Sequence, residues 1–427
     1  MRVAFLQITL ADSIICRIDI TTCRTSLRGS IAMLAARSCR LAPLSACDRL
    51  GPCLAATLMA ATLLATTAAA QENRFEDYPP NVKRYLQRIY GEDQQPLAFR
   101  GKNDAAENKD FQRWQTTARE ELRRRLGLPK IAQTVGDHQP TVTLQAPEDQ
   151  GTYYLQRGEI ETEPDVHLAF FLLKPKGQGP WPLALFPHGH STSGHFTSAG
   201  VYSDEAHRKR TLAEDRDVAV QAVRQGFLAI APAVRGLSAD GVPDINNRHG
   251  NRACRSHVMH CLLAGRTASG ERVWDMQRLI DWAQSRPDVD ASHVLMMGNS
   301  GGGMVTLFAA ACDERITVAV PSCSFAPTVN QAGYIFHCDC NMVPGLMELG
   351  GMATVAGLIA PRHLLAVNGR TDQLFSNQAI EDEAAKVKAI YEAAGHGHRF
   401  QHRFGEGGHR FYADLMWPFV RSATGLE

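Results

Sequence analysis

Gly298-Asn299-Ser300-Gly301-Gly302, entered from the apolar run 294–297 and followed by a helical pattern from about Gly303, constrains this chain more than any other feature. A strand that turns sharply into a helix leaves no room for side chains beside the turning residue. Small residues must flank it, and the strained turn lifts the central hydroxyl above a sheet. A phosphate-binding helix start would need a Walker lysine or the dinucleotide glycine spacing, and both are missing. Ser300 is the expected nucleophile, and the N–H of Gly301 points where an oxyanion would form.

A serine hydroxyl attacks only when an imidazole takes its proton, and the imidazole needs a carboxylate to fix its tautomer and balance its charge. The chain order expected after such a turn is Ser, acid, His. Asp372 follows the apolar run 364–367 across Asn368-Gly369-Arg370-Thr371, which places it at a carboxyl strand end. Four histidines compete as the base. His396 and His398 precede the last strand and His402 lies within it, whereas His409 follows it in a glycine-rich turn, on the same side as Ser300 and Asp372. A second oxyanion donor is expected after the run 183–186, where Pro187-His188-Gly189-His190 stands and the amide of His190 is the candidate. The histidine side chains there could equally serve loop packing.

From about residue 140 short apolar runs (166–173, 183–186, 227–231, 294–297, 318–320, 364–367 and 399–404) alternate with helical patterns (272–284, 304–311 and 377–394). That alternation predicts an α/β fold whose mostly parallel central sheet carries helices on both faces. Three long connections, 190–211, 234–270 and 324–357, leave strand ends where an open α/β sheet binds its ligands. Residues 71–135 read as an amino-terminal helical extension, with Phe111, Trp114, Ala118, Leu122 and Leu126 on one stripe. The predicted catalytic domain is 136–427.

Residues 1–70 differ from the rest. They hold five of the eleven cysteines, seven of the 45 basic residues and three of the 44 acidic ones, which leaves 38 basic and 41 acidic residues after Ala70. The uncharged run from Cys53 to Ala70, ending in small residues, predicts a secretory signal, and Met33 is the expected initiator. The expected location is secreted or periplasmic, with no stable membrane insertion once the signal is removed. A near-neutral charge gives no field for nucleic acid, so no nucleic-acid partner is expected. The remaining six cysteines suggest disulfides in an exported chain, Cys254 with Cys261 among the plausible pairs. His337-Cys338-Asp339-Cys340 would suit a metal, but no second Cys/His pair at finger-like spacing accompanies it, so neither metal nor cofactor is expected.

Pro187-His188-Gly189-His190, Trp274-Asp275 with Arg278, Gly298-Asn299-Ser300-Gly301-Gly302-Gly303, Asn341-Met342-Val343-Pro344-Gly345-Leu346, Asn368-Gly369-Arg370-Thr371-Asp372 and Gly408-His409 together resemble the α/β-hydrolase superfamily. Within it they are similar to the exported acetyl xylan esterase-like and dienelactone hydrolase-like group, over roughly residues 140–420. The resemblance implies hydrolysis of a small-molecule or carbohydrate-linked ester by Ser300, Asp372 and His409. Gly301 stands where the exported glucuronoyl esterases carry an arginine, which argues against that branch. Two rival readings are a serine peptidase of the prolyl-oligopeptidase kind and a non-catalytic binding protein on the same fold. Asp275 with Arg278 reads as a helix-surface pair, and Tyr334, Phe336 and Met342 as either an acyl-pocket wall or packing.

Overall fold

The computed structural model describes residues 5–10, 14–19, 75, 77–101, 108–191, 193–238 and 241–426. The chain divides into two compact units, 1–67 and 68–427. The described part of the first is an antiparallel pair, β1 (Phe5–Leu10) with β2 (Ile14–Asp19). The expected signal, its cleavage point and the Met33 start lie outside the described residues. No helix among the described residues is long and apolar enough to cross a membrane.

The second unit is built on a ten-stranded sheet. Its strands are β3 (Thr141–Leu144), β4 (Glu148–Asp149), β5 (Tyr153–Glu163), β6 (Val166–Pro175), β7 (Trp181–Leu185), β8 (Leu228–Pro232), β9 (Val289–Asn299), β10 (Val318–Ser322), β11 (His363–Gly369) and β12 (Phe400–Gly405). The order across the sheet is β12-β11-β10-β9-β7-β8-β6-β5-β3, with β4 on β5. From β12 to β8 all neighbours are parallel, and β6, β5 and β3 continue antiparallel. This is the α/β-hydrolase fold, and each of the seven apolar runs lies on one of its strands to within one residue. β3 to β5 form an edge the apolar runs did not reveal. β5 carries Gln156, Arg157, Glu159 and Glu161, and its exposed face hides the period of its buried residues.

Successive side chains of the central strands enter opposite apolar layers, so the sheet is covered on both faces. Leu183 and Leu185 pack with Met276, Leu279 and Ile280, while Ala184 and Phe186 pack with Val218, Ala222 and Trp417. The chain runs from β7 to β8 on one side, then crosses to β9, β10, β11 and β12 on the other. The strand order therefore reverses between β7 and β9, and the crevice beyond their carboxyl ends is where such sheets take ligands. The loop 187–190 and Ser300 both emerge there.

The helix Asn108–Leu126 buries Phe111, Ala118, Leu122 and Leu126 on the stripe read from sequence. It also closes the far end of the helix that follows Ser300, Gly301–Cys312, whose last carbonyls have no partners within their own helix. Arg119 Nε donates to Ala311 O (3.0 Å), Arg123 Nη1 to Cys312 O (2.9 Å) and Arg362 Nη2 to Ala310 O (2.7 Å). Three guanidinium groups thus sit at the negative pole of the helix whose positive pole lies at Ser300.

Candidate active site

Ser300 lies between β9 and the helix Gly301–Cys312 with φ 57° and ψ −123°, a backbone conformation that costs a side-chain-bearing residue energy. Its N–H donates to Ser322 O (2.8 Å) and its carbonyl accepts from Met304 N (3.1 Å), so sheet and helix both hold the strained turn. A Cβ at Gly302 would stand 2.0 Å from Pro187 O. Backbone against backbone cannot yield, so this position excludes every side chain.

Asp372 follows β11 and is 3% exposed. Its Oδ2 accepts from His409 Nδ1 (2.7 Å) and its Oδ1 from Leu374 N (3.0 Å). A carboxylate at Nδ1 places the imidazole proton there and leaves Nε2 free to accept. His409 follows β12, and with Ser300 it lines a cavity of about 420 Å³. Ser300 Oγ and His409 share that cavity without a hydrogen bond among the described residues, an arrangement common before substrate draws such groups together. His396 and His398 lie before β12, and His402 within it bonds Asn368 Oδ1 through Nε2 (3.2 Å).

Arg216 bridges two of these segments, and the sequence patterns did not single it out. Its Nη2 donates to His409 O (2.7 Å) and its Nη1 to Asn299 Oδ1 (3.1 Å), which ties the histidine turn to the residue before Ser300. Its Nε also bonds Glu214. A lone arginine between two helices carries no spacing by which to find it.

The loop 187–190 lies against the serine turn. A Cβ on Gly189 would come within 3.0 Å of Ser300 Cβ and 3.2 Å of Gly301 N, so glycine there allows the close approach an oxyanion loop requires. His188 is loop packing. Its Nδ1 donates to Gly189 O (2.6 Å) and its Nε2 accepts from Val234 N (3.1 Å), which fixes a neutral ring between two loops. His190, in contrast, turns its ring toward sulfur. Much of the residue is exposed, but Nε2 is 3.2 Å from Cys340 Sγ. The ligand atoms of His190, Cys254, Cys338 and Cys340 all lie within 4.8 Å of one another. The partners of Cys338 and Cys340 come singly from two distant connections and not as a spaced pair, so sequence spacing could not bring them together.

Burial holds the pKa of His188 down to about 4, and burial aided by the Arg157 charge does the same for His195. The folded chain keeps both neutral, so between about pH 6.5 and pH 4 the unfolded chain binds more protons. Their contribution is complete above about pH 6.5 and drains as pH falls, by up to about 3 kcal/mol for each ring. Urea midpoints should therefore drop across that window. Midpoints that stay level from about pH 7 to pH 4.5 would count against both rings being buried and neutral.

Two smaller expectations are corrected and one open alternative is decided. Cys254 and Cys261 sit two turns apart on one helix, Ala253–Leu263, about 10 Å along its axis, too far for a disulfide. Both are free thiols. Asp275 does not pair with Arg278. It is 1% exposed, accepts from Thr162 Oγ1 (2.7 Å) and Arg235 Nε (3.0 Å), and burial pushes its pKa up. Arg278 instead bonds Asp281 and stacks on Trp274. Tyr334 and Phe336 pack around Phe75 and do not line the cavity.

The sequence pattern of the X-Pro dipeptidyl-peptidase (S15) family matches residues 165–403, more than half of the chain. YtaP of Bacillus subtilis (strain 168), provisionally named a hydrolase, is 26% identical over 236 residues, covering 53% of this chain and 72% of that protein. Among solved structures, Methylesterase BT1017 superposes with a TM-score of 0.58 at 18% identity, over 83% of this chain and 69% of its own. A Bacteroides fragilis protein provisionally named an acetyl xylan esterase gives 0.56 at 16% identity, over 79% and 82%. The fold they share with this chain is the one described above.

Proposed function

We propose that this chain, which belongs to the X-Pro dipeptidyl-peptidase (S15) family, is a serine hydrolase that cleaves carboxylic esters of small or carbohydrate-linked alcohols through an acyl-enzyme. The observation that carries the reading is the Asp372–His409 hydrogen bond at the cavity that the strained Ser300 also lines. Ser300 Oγ attacks the ester carbonyl and its proton passes to His409 Nε2, while Asp372 keeps the proton on Nδ1. The N–H groups of Gly301 and His190 hold the oxyanion. His409 then protonates the departing alcohol, and a water activated by the same nitrogen releases the acid. The apolar run from Cys53 to Ala70 supports an exported enzyme.

The cavity favours esters of hydroxylated alcohols. Ser191, Ser193, Thr197, His207 and Arg210 line it, and these are hydrogen-bonding groups suited to a sugar. Its one carboxylate among the described residues is Glu214, which is already paired with Arg216. An enzyme that grips the free amino terminus of a peptide needs an unpaired anion there. Two of the solved neighbours bear the names of esterases. The family's own name favours amide cleavage, so aryl acetate, acetylated sugar and aminoacyl-prolyl amide should be assayed side by side. The expected result is ester turnover with the higher kcat/KM. Preference for the amide would hand the chain to the peptidase reading, and failure of Ser300 to take a fluorophosphonate would hand it to a binding role.

A further inference from the structure

We propose that His190, Cys254, Cys338 and Cys340 hold a divalent zinc-type ion in a closed tetrahedral site that joins the three long connections above the catalytic rim. His190 belongs to the connection after β7, Cys254 opens the helix Ala253–Leu263 in the connection after β8, and Cys338 and Cys340 lie in the connection after β10. Four tetrahedral ligands at zinc distances of roughly 2.0–2.3 Å lie about 3.3–3.8 Å from one another. The observed separations, within 4.8 Å throughout and 3.2 Å between Cys340 Sγ and His190 Nε2, reach that geometry by small side-chain adjustments. Thiolate with imidazole is the donor set that zinc takes, and four protein ligands make a closed site with a structural role.

Charge supplies an independent argument. Arg272 is 0% exposed, and its guanidinium donates to Arg235 O (2.9 Å), Cys340 O (3.1 Å), Asn341 Oδ1 (3.2 Å) and Cys340 Sγ (3.7 Å). Among the described residues no carboxylate is hydrogen-bonded to it and its Nη2 has no partner. A permanent charge buried among neutral groups is costly unless an anion lies nearby. Three thiolates and a neutral imidazole on a divalent ion carry one net negative charge, beside the arginine that needs it. Binding releases three thiol protons to solvent.

Other clusters and other chemistry fit less well. His257, Cys261 and Glu271 also converge, but Arg235 and Arg266 already bring their cations to Glu271. Cys323, Asp372 and His409 belong to the catalytic rim. A disulfide could join two of Cys254, Cys338 and Cys340, but it would leave the third thiol and His190 without partners and Arg272 without an anion. Ligation of the His190 ring would also hold its amide toward the oxyanion. That consequence rests on the esterase reading, whereas the metal content does not.

The test uses the full chain, expressed with added zinc, purified under reducing conditions and freed of loose metal by gel filtration. About one zinc per chain is expected, falling below about a tenth in Cys338→Ser and Cys340→Ser and retained in Cys312→Ala. Cobalt(II) added to the metal-free wild type should produce thiolate charge-transfer absorption and the intense visible bands of a tetrahedral centre. That reading needs no variant and stands if the serine variants fail to fold. Wild type that retains no zinc and develops no such bands would overturn the proposal, as would peptide mapping that finds two of the three cysteines joined. Neither measurement involves a substrate, so loss of the ester reading would leave this result intact.

Discussion

Ser300→Ala should lower kcat for the best ester by roughly 10⁴–10⁶ while leaving the fold as stable as before. The size follows from what is removed. Without the hydroxyl no acyl-enzyme forms, and only binding and the oxyanion donors remain to help water attack. Stability should barely move because Ala keeps the Cβ that makes φ 57° costly, and the bonds to Ser322 O and from Met304 N belong to the backbone. Ser300→Gly should be equally inactive yet more stable, since glycine adopts that conformation freely. Steady-state kinetics and thermal melts on the two variants separate chemistry from folding. An alanine variant within about tenfold of wild type would remove Ser300 from the mechanism.

Asp372→Asn should cost about 10⁴ in kcat. The substitution preserves shape and keeps an oxygen for Leu374 N, which Asp372 Oδ1 now accepts at 3.0 Å. It then turns an amide N–H₂ toward His409 Nδ1 where a carboxylate oxygen stood at 2.7 Å. Two donors cannot face each other, so the imidazole proton moves to Nε2, and the atom that should take the proton of Ser300 already carries one. Fluorophosphonate labelling of Ser300 should slow in proportion, because it needs the same proton transfer. A loss under about tenfold in both measurements would mean that another group orients His409.

What sequence disclosed and what it hid divide along a physical line. Ser300, Asp372 and His409 could be placed because each follows an apolar run, and strand direction in a parallel sheet decides which end of a run faces the rim. The same reasoning could not reach Arg216, whose two bonds to Asn299 and His409 depend on how loops fold over the sheet. Nor could it reach the pairing of His190 with Cys340, which lie 150 residues apart and share no periodic pattern. The edge strand β5 escaped because one of its faces meets water and its charged residues break the apolar signal. Asp275 looked like a surface partner of Arg278 because helical spacing records which residues can meet, not which face of the helix is buried.

The arginines at the end of the helix Gly301–Cys312 bear on how such a protein can change over generations. Arg119 and Arg123 serve carbonyls 192 and 189 residues downstream, at the opposite pole from Ser300. A segment outside the cavity lining thus supports the helix that begins at Ser300, and the two stretches of chain cannot be altered independently. Exchanging the leading helix for one without arginine at these two positions would strip the donors from those carbonyls, even where every group at the rim is identical.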